Sequence, residues 1–413
     1  MYKHIPGTKD ILPDETSLWQ SIEETSRNIF SLYNYSEIRT PALEDVSLFN
    51  RSLGESTEIV QKQMFLTKSG EDVYCLRPEA TASIVRSYIE NSLDKTVGFS
   101  KLYYIGPMFR HERPQKGRLR QFHHIGCEAI GSFEAELDAE VISLADYLLK
   151  GFLIQGYKIK LNSLGCLKDK ARLTELLRDR LKGELGALCQ DCQVRYNGNV
   201  LRILDCKNET CKNVVEKIDL KDSYLCPECK AHFLKVREGL DSLGIGFEYT
   251  PHLVRGLDYY TGTVFEISHP ELGSQDALGA GGRYNNLVKE LGGPDMGAIG
   301  FAFGIERLLL VTKLQGQKVT SKKLSYLISL GEEAKKQGIK LLESLREKGI
   351  ACDTDYEGRS LKAAMRRAND LGANKVLILG ENELKNGVIT VKDMVSGEQK
   401  EVALESLAKD LKC

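Results

Sequence analysis

The sequence has no long uninterrupted apolar run and no excess of charge of either sign. No stretch approaches the roughly eighteen consecutive apolar residues that a membrane-spanning helix needs, and the segment MYKHIPGTKDILPDE lacks the apolar core of a signal peptide. We therefore expect a cytoplasmic protein with no membrane partner. Lys and Arg total 57 against 58 Asp and Glu, so the chain as a whole is not attracted to phosphate. Any binding of nucleic acid must come from local basic patches.

A disulfide framework is not expected either. Eleven cysteines, an odd number, are spread over 413 residues, which is typical of reduced thiols or metal ligands. With 42% hydrophobic and 28% charged residues, the chain can bury a large core and should form two or three domains.

Changes in composition divide the chain into four segments. Short apolar or alternating runs such as EIRTPAL and KLYYIGPMFRHE predict strands after a first helix over 14–36. The same character returns in GLDYYTGTVFEIS, whereas the part between is charged, helical and rich in cysteine. A polar stretch, QGQKVTSKK, predicts a linker before an α/β domain. The expected boundaries are 1–165 and 248–318 for two parts of one domain, 166–247 for an insertion, and 324–413 for the last domain.

The most unusual stretch is FRHERPQKGRLRQFHHIGCE, which carries five Lys or Arg residues between positions 110 and 120 and one acid there, Glu112. It predicts a strand, a basic loop and a second strand. Side chains alternate along a strand, so Arg110 and Glu112 share one face of the first, and His124 and Glu128 share one face of the second. One cleft can then hold groups that bind phosphate beside groups that bind a cation. The alternative is a solvated hairpin whose charges only maintain solubility.

This stretch closely resembles motif 2 of the class II aminoacyl-tRNA synthetases, in the form typical of histidyl-tRNA synthetases. Motif 1 is matched by YSEIRTPALE and motif 3 by GFAFGIERL. Two signatures peculiar to histidyl-tRNA synthetases are also present, LVRGLDYYTGTVFE at 253–266 and GAGGRYNNLV at 279–288, together with RPEATA at 77–82. GRSLKAAMRRANDLGA extends the resemblance to 358–373, so it spans almost the whole chain and is far more specific than a lone motif.

The resemblance implies an α+β fold, with a class II catalytic domain built on an antiparallel β-sheet flanked by helices. A mostly helical insertion and a C-terminal α/β anticodon-binding domain complete the expected architecture. The implied activity is ATP-dependent activation of L-histidine, assisted by Mg²⁺, and transfer of histidine to the 3′ end of histidine tRNA. The class also implies a homodimer formed through motif 1.

The resemblance also assigns residues to ATP and to catalysis. It implies that Arg110 lies on the ATP α-phosphate, that Glu112 accepts from the adenine amino group and that Arg307 holds the γ-phosphate. A guanidinium suits these positions because it forms paired bonds to phosphate oxygens and stays charged at every working pH. Arg255 is expected to approach the histidine carboxylate and the α-phosphate, which makes Arg110 and Arg255 the catalytic candidates. The alternative for Arg255 is an ordinary salt bridge with Asp258.

The histidine pocket implied by the resemblance has different chemistry at its two ends. Two sets of residues are expected there: Glu79, Thr81 and His124 around the α-amino group, and Glu128, Tyr260 and Tyr284 around the imidazole, with Arg255 near the carboxylate. A carboxylate and a phenol can hold both ring nitrogens by hydrogen bonds. Such a pocket rejects other side chains because its own polar groups would be left unpaired, a penalty on the order of 10⁴ in rate. The sequence departs from the family at His124, where Gln is more common, and at Asn285, where Asp is usual.

Two regions are expected to contact tRNA. The resemblance places the motif 2 loop residues Arg113 and Gln115 at the end of the acceptor stem, where side chains of these types can bind bases and phosphates. In the last domain, four basic residues form a candidate patch for the anticodon: Arg359, Lys362, Arg366 and Arg367. A solvated helix face is the alternative explanation for this patch.

The insertion contains six of the eleven cysteines, in the order C-x2-C, C-x4-C and C-x2-C. The outer pairs have the spacing of tetrahedral thiolate zinc sites, which predicts one structural zinc ion bound by Cys189, Cys192, Cys226 and Cys229. Buried free thiols are the alternative.

Two other functions compete with tRNA charging. A paralogue of the catalytic domain serves as a non-catalytic regulatory subunit in histidine biosynthesis. Such paralogues generally lack the anticodon domain and the ATP-binding arginines, both of which are retained here. The second alternative is a class II synthetase for another amino acid, and the motifs RGLDYYTG and AGGRY argue against it.

Overall fold

A computed structural model describes residues 2–54, 57–115, 117–273, 275–316 and 323–412. The chain divides between positions 318 and 319 into a larger and a smaller compact unit. Among the described residues, no helix is long and apolar enough to cross a membrane.

The larger unit combines β-sheets with flanking helices. In chain order its strands are β1 (Ser36–Glu37), β2 (Leu43–Asp45), β3 (Phe65–Ser69), β4 (Asp72–Leu76), β5 (Ser100–Phe109), β6 (Gln121–Ile130), β7 (Lys158–Ser163), β8 (Glu248–Tyr249), β9 (Thr261–Ser268), β10 (Ala277–Arg283) and β11 (Ala298–Gly304). Its α-helices are α1 (Pro13–Leu32), α2 (Val46–Leu53), α3 (Thr81–Glu90), α4 (Leu93–Thr96), α5 (Ala135–Gly151), α6 (Leu167–Leu181), α7 (Gln190–Asn197), α8 (Glu209–Val215), α9 (Pro227–Ser242), α10 (Leu287–Glu290) and α11 (Ile305–Leu314).

Eight strands form the main sheet, in the order β1-β5-β6-β11-β10-β9-β7-β8. The pairs β1·β5 and β7·β8 are parallel, and the pairs between them are antiparallel. A separate three-stranded sheet has the order β2-β4-β3. The predicted strand, basic loop and strand are found as β5 and β6, which pair from Ser100↔Ile130 to Phe109↔Gln121.

The two faces of the main sheet have different environments. On β6, Ile125, Cys127 and Ala129 are fully buried in the same apolar core as residues of α1 and α5. The alternate positions His124 and Glu128 therefore lie on the opposite face, as expected for extended chain. Helix α1 covers the first face and begins with Pro13 at its first turn, where a missing N–H costs nothing.

The chain between β7 and β8, the two strands at one edge of the main sheet, is helical. Leucines on one side of α6 (Leu173, Leu177 and Leu181) pack with residues that follow α6 in a separate small core. Helix α9 instead contributes Phe233 and Val236 to the core of the main sheet. The cysteine-rich segment is thus anchored to the rest of the larger unit through its last helix.

The smaller unit is a mixed α/β structure. Its strands are β12 (Ser325–Ser329), β13 (Cys352–Thr354), β14 (Lys375–Leu379), β15 (Val388–Asp393) and β16 (Gln399–Ala403), and its helices are α12 (Glu332–Glu347), α13 (Leu361–Asp370), α14 (Glu381–Asn386) and α15 (Leu407–Lys412). The sheet order is β13-β12-β14-β15-β16. Leu342 of α12 packs on one face, and Ala364 of α13 packs on the other, so the sheet is covered on both sides.

Candidate active site

A cavity of about 340 Å³ lies on the face of the main sheet that carries His124 and Glu128. Residues of β6, β10 and β11 line it, together with the loops before α3 and before β9. All the residues predicted to bind ATP or histidine border this cavity: Glu79, Thr81, Arg110, Glu112, His124, Glu128, Arg255, Tyr260, Tyr284 and Arg307. The fold therefore brings together groups that are far apart in the sequence.

Glu128 is the most deeply buried acid of the cavity, with 1% of its surface exposed. Its carboxylate accepts hydrogen bonds from the hydroxyls of Tyr284, at 2.6 Å, and Thr81, at 2.7 Å. Burial raises the pKa of the Glu128 carboxyl to about 8, and the two hydrogen bonds oppose this shift. Thr81, predicted near the α-amino group of the ligand, is thus bonded to the acid predicted near the imidazole.

A neighbouring strand provides the space for this carboxyl. Gly300 on β11 pairs with Glu128 in the sheet, and a β-carbon at Gly300 would overlap the Glu128 carboxylate. Gly126 similarly leaves room for Tyr104, whose hydroxyl lies 2.5 Å from the place of a β-carbon at Gly126. Sequence analysis missed Gly300 and Tyr104. A glycine within a strand signals a close approach, but only the strand register tells which side chain approaches.

Glu79 caps helix α3 at the edge of the cavity. Its two carboxylate oxygens accept the backbone N–H groups of Thr81, at 2.7 Å, and Ala82, at 2.9 Å. Burial raises the pKa of the Glu79 carboxyl, and these hydrogen bonds oppose the shift. The acid therefore has a structural role at the first turn of the helix, which the sequence motif alone did not reveal.

His124 is a half-buried histidine that borders the cavity. Burial lowers the pKa of its ring to about 3, and the positive charges of Arg110 and Arg77 lower it further. The ring packs edge-on against Phe122, with 5.1 Å between the centroids. Among the described residues, its Nδ1 atom is buried without a hydrogen-bond partner. A neutral imidazole nitrogen is thus available to a ligand in the cavity.

The other end of the cavity is rich in arginine. Arg110 donates from Nε to the carbonyl of Pro78 at 2.9 Å, and its guanidinium lies 5.3 Å from the centre of the Phe122 ring. Glu112 lies 4.0 Å from Arg110 and 3.3 Å from Arg118, a cavity-lining residue that sequence analysis did not single out. Burial lowers the pKa of Arg110, yet a guanidinium remains charged in proteins.

Arg307, at the start of α11, is held by backbone carbonyls. Its Nε donates to Gly117 at 3.0 Å, and its Nη1 donates to Gln275 at 3.1 Å and Ala277 at 2.5 Å. Burial lowers the pKa of this guanidinium as well. These bonds fix the side chain between the basic loop and β10, with its charge facing the cavity.

Arg255 is oriented by an acid on the sheet. Its Nη1 lies 2.9 Å from Glu266 of β9, which also lies 3.6 Å from Lys160 of β7. This partner was not among the sequence-based candidates, which included only Asp258. Arg255 Nε is buried without a partner among the described residues.

The two residues predicted to contact the acceptor stem do not border the main cavity. Arg113 and Gln115 are exposed in the loop between β5 and β6. The backbone of Gln115 pairs with that of Arg118, which closes this loop into a turn. Their exposure leaves them accessible to a large partner.

The basic patch predicted in the smaller unit is partly neutralised. Arg359 forms an ion pair with Asp355 at 2.6 Å and another with Glu357. The other three members of the patch are exposed on α13: Lys362, Arg366 and Arg367. The predicted patch is thus reduced to these three exposed side chains.

The prediction of one zinc site made from the two outer cysteine pairs is wrong in its grouping. One cluster consists of Cys189, Cys192, Cys206 and Cys211, and the other consists of Cys166, Asp169, Cys226 and Cys229. Within each cluster the potential ligand atoms all lie within 4.8 Å of one another. The reason is that the start of α7 lies beside α8, where the Cys189 N–H donates to the Cys211 sulfur, whereas Asp169 accepts from the starts of both α6 and α9. Spacing identifies the pairs, but only the packing of the helices shows which pairs meet.

Comparison with known proteins identifies the family. The family model described as histidyl-tRNA synthetase matches residues 7–308, and the model of the anticodon binding domain matches residues 325–413. The chain belongs to the histidyl-tRNA synthetase family.

Members of this family are similar to it over nearly the full length. The histidine–tRNA ligase of Halothermothrix orenii is 48% identical over 409 residues, which covers 98% of this chain and 97% of the relative. That of Natranaerobius thermophilus is 46% identical over 410 residues, with coverage of 98% and 97%. The crystal structure of apo S. aureus histidyl-tRNA synthetase covers 100% of both chains, with a TM-score of 0.84 and 36% identity. The predicted family and the predicted α+β class II fold are thus confirmed.

Proposed function

We propose that the chain activates L-histidine with ATP and transfers it to the 3′ end of histidine tRNA. The observation that carries this proposal is a single cavity with opposite chemistry at its two ends. Glu128 and Tyr284 form a buried hydrogen-bonding end, and Arg110 and Arg307 contribute positive charge at the other. The hydrogen-bonding end suits a ligand with a polar ring, and the positively charged end suits a ligand with a triphosphate. The reacting groups of the two ligands then meet between the two ends.

The buried end suits the imidazole of histidine. A carboxyl whose pKa is about 8 can donate its proton to a ring nitrogen or, once ionised, accept a ring N–H. Tyr284 and Tyr260 add phenol groups to this end of the pocket. Glu79, Thr81 and His124 form the side proposed for the α-amino group, where Thr81 also positions Glu128.

The arginine-rich end suits ATP. Arg110 is proposed for the α-phosphate, Arg307 for the γ-phosphate and Glu112 for the adenine amino group. Mg²⁺ would neutralise charge on the phosphate oxygens, and the carboxylates of Glu266 and Asp276 at this end are of the type that it prefers. The arrangement of half-buried guanidinium groups, held by backbone carbonyls, agrees with the needs of phosphoryl chemistry, which are positioning and charge stabilisation.

The first step joins a carboxylate oxygen of histidine to the α-phosphorus as the bond to pyrophosphate breaks. Arg255 is proposed to stabilise the charge on the reacting carboxylate and α-phosphate, and Glu266 holds it in position. In the second step the terminal hydroxyl of tRNA attacks the histidyl carbonyl, and AMP leaves. We place Arg113 and Gln115 on the acceptor stem and the patch on α13 on the anticodon.

We further propose the domain division 1–165 and 248–318 for catalysis, 166–247 for the insertion and 324–413 for anticodon binding, in a cytoplasmic homodimer. The regulatory alternative is less well supported. Arg110 and Arg307 line the cavity, and residues 325–413 match the anticodon binding domain.

The decisive experiment is ATP–pyrophosphate exchange with each of the twenty amino acids in turn. We expect exchange with histidine and background rates with the others. Exchange driven by another amino acid would remove the proposed specificity, and no exchange with any of them would favour the regulatory alternative.

A further inference from the structure

Four cysteine sulfurs converge at one point in the helical segment between β7 and β8. Cys189, Cys192, Cys206 and Cys211 place their Sγ atoms within 4.8 Å of one another, and the Cys189 and Cys206 sulfurs are 3.9 Å apart. Four sulfurs at about 2.3 Å from one tetrahedral zinc ion are separated by about 3.8 Å. A disulfide needs a sulfur separation of about 2.05 Å, and none of these four cysteines forms a disulfide.

The four sulfurs come from three short pieces of chain. Cys189 and Cys192 flank the start of α7, Cys206 follows a 3₁₀ turn at Val200–Ile203, and Cys211 lies in the first turn of α8. The backbone N–H of Cys189 donates to the Cys211 sulfur at 3.2 Å. Hydrogen bonds of this kind are the outer contacts that orient metal-binding thiolates.

The surrounding core is small. Cys192 and Cys211 are fully buried in a cluster formed by residues of α6 to α8 and the turns between them. Small domains with limited apolar burial are commonly stabilised by a metal ion. We propose that Cys189, Cys192, Cys206 and Cys211 bind one structural zinc ion.

The second cysteine cluster provides a contrast within the same segment. Its acid, Asp169, is fully buried and accepts the backbone N–H groups of Cys226, at 3.0 Å, and Cys166, at 3.3 Å. It also lies 3.4 Å from Arg172. Asp169 therefore caps the starts of α6 and α9, so hydrogen bonds already account for its burial. The four-cysteine cluster contains no such acid.

The proposed ion supports one wall of the catalytic cavity. Asp205 and Lys207, on either side of Cys206, border the cavity. Nearby, Asn199 donates to Asp258 at 2.7 Å, within the loop that carries Arg255. A metal ion that fixes Cys206 would hold this wall in place, so its removal should disturb histidine activation as well as the insertion.

The test is elemental analysis of the full-length protein, purified without chelator. We expect about one zinc per chain in the wild type and at least a fivefold loss in Cys206→Ser/Cys211→Ser. The matched control, Cys226→Ser/Cys229→Ser, should retain its zinc. Wild-type protein with well under one zinc per chain would overturn the proposal, as would loss of zinc in the control together with retention in Cys206→Ser/Cys211→Ser.

A second measurement does not depend on the folding of any variant. Wild-type protein loaded with Co²⁺ in place of zinc should show the intense visible absorption of a tetrahedral site with four thiolates. A weak spectrum typical of octahedral coordination by oxygen or nitrogen would overturn the assignment. Chelation of the metal should then lower the thermal midpoint and raise the KM for histidine, and restoring Zn²⁺ should reverse both changes.

Discussion

The hydrogen bond from Tyr284 to Glu128 is the most direct test of the proposed histidine pocket. Tyr284→Phe removes one hydroxyl that lies 2.6 Å from a fully buried carboxyl and leaves the ring in place. Removing one partner of a buried hydrogen bond leaves the other unsatisfied, which costs about 1–3 kcal/mol and corresponds to about a 5- to 150-fold loss in kcat/KM. We expect this loss for histidine in ATP–pyrophosphate exchange, with the KM for ATP close to the wild-type value.

The control for this variant is Tyr157→Phe. The Tyr157 hydroxyl also donates to a carboxylate, Asp146, at 2.5 Å, but neither residue borders the cavity. This variant should lose stability without a selective effect on histidine. If Tyr284→Phe behaved like the control, or changed the parameters for ATP and histidine equally, the placement of the imidazole beside Glu128 would be wrong.

Four further predictions concern the cavity and the domain division. Burial raises the pKa of Glu128 to about 8, so the folded protein binds this proton more tightly than the unfolded chain does, and stability is lost as pH rises through that value. Glu128→Gln cannot ionise and should lose less stability than the wild type between about pH 4.5 and 8, the ordinary and the raised pKa of this carboxyl, in thermal denaturation; parallel profiles would contradict this. Arg255→Ala should slow single-turnover adenylate formation by about 10²- to 10³-fold while histidine binding changes little, and a wild-type rate would exclude a catalytic role. Gly300→Ala should lower both the thermal midpoint and kcat/KM for histidine because its β-carbon overlaps Glu128, whereas Gly183→Ala, with open space around it, should not. Removal of 324–413 should preserve pyrophosphate exchange and sharply weaken tRNA charging; equal losses in both assays would mean that this unit supports the catalytic fold.

The part of the site that lies on β6 could be predicted from the sequence. The alternation of side chains along a strand places His124 and Glu128 on one face, and the burial of Ile125 and Cys127 on the other face agrees with it. Here local geometry is sufficient, because one regular strand carries all four residues. The family and the fold class could be predicted as well, because the motifs extend over almost the whole chain.

Contacts between distant elements could not be predicted in the same way. The partner of Arg255 is Glu266, which lies on a strand whose position in the sheet no local pattern specifies. Spacing identifies the cysteine pairs but not which of them meet. Cys189 lies near Cys211 only because the start of α7 lies beside α8. Asp169 was overlooked because its carboxylate is buried only when the starts of α6 and α9 meet.

Gly300 has a consequence for attempts to redesign the enzyme for other amino acids. The buried end of the cavity is set by the register of adjacent strands, since β11 must present a glycine wherever β6 presents the Glu128 carboxyl. A side chain at position 300 would meet the Glu128 carboxyl and the backbone oxygen of Cys127. Substitution of Gly300 alone should therefore mostly yield unstable proteins. Libraries that aim at a new amino acid must vary both strands together, whereas those that aim at the nucleotide can be confined to the loops that carry Arg110 and Arg255.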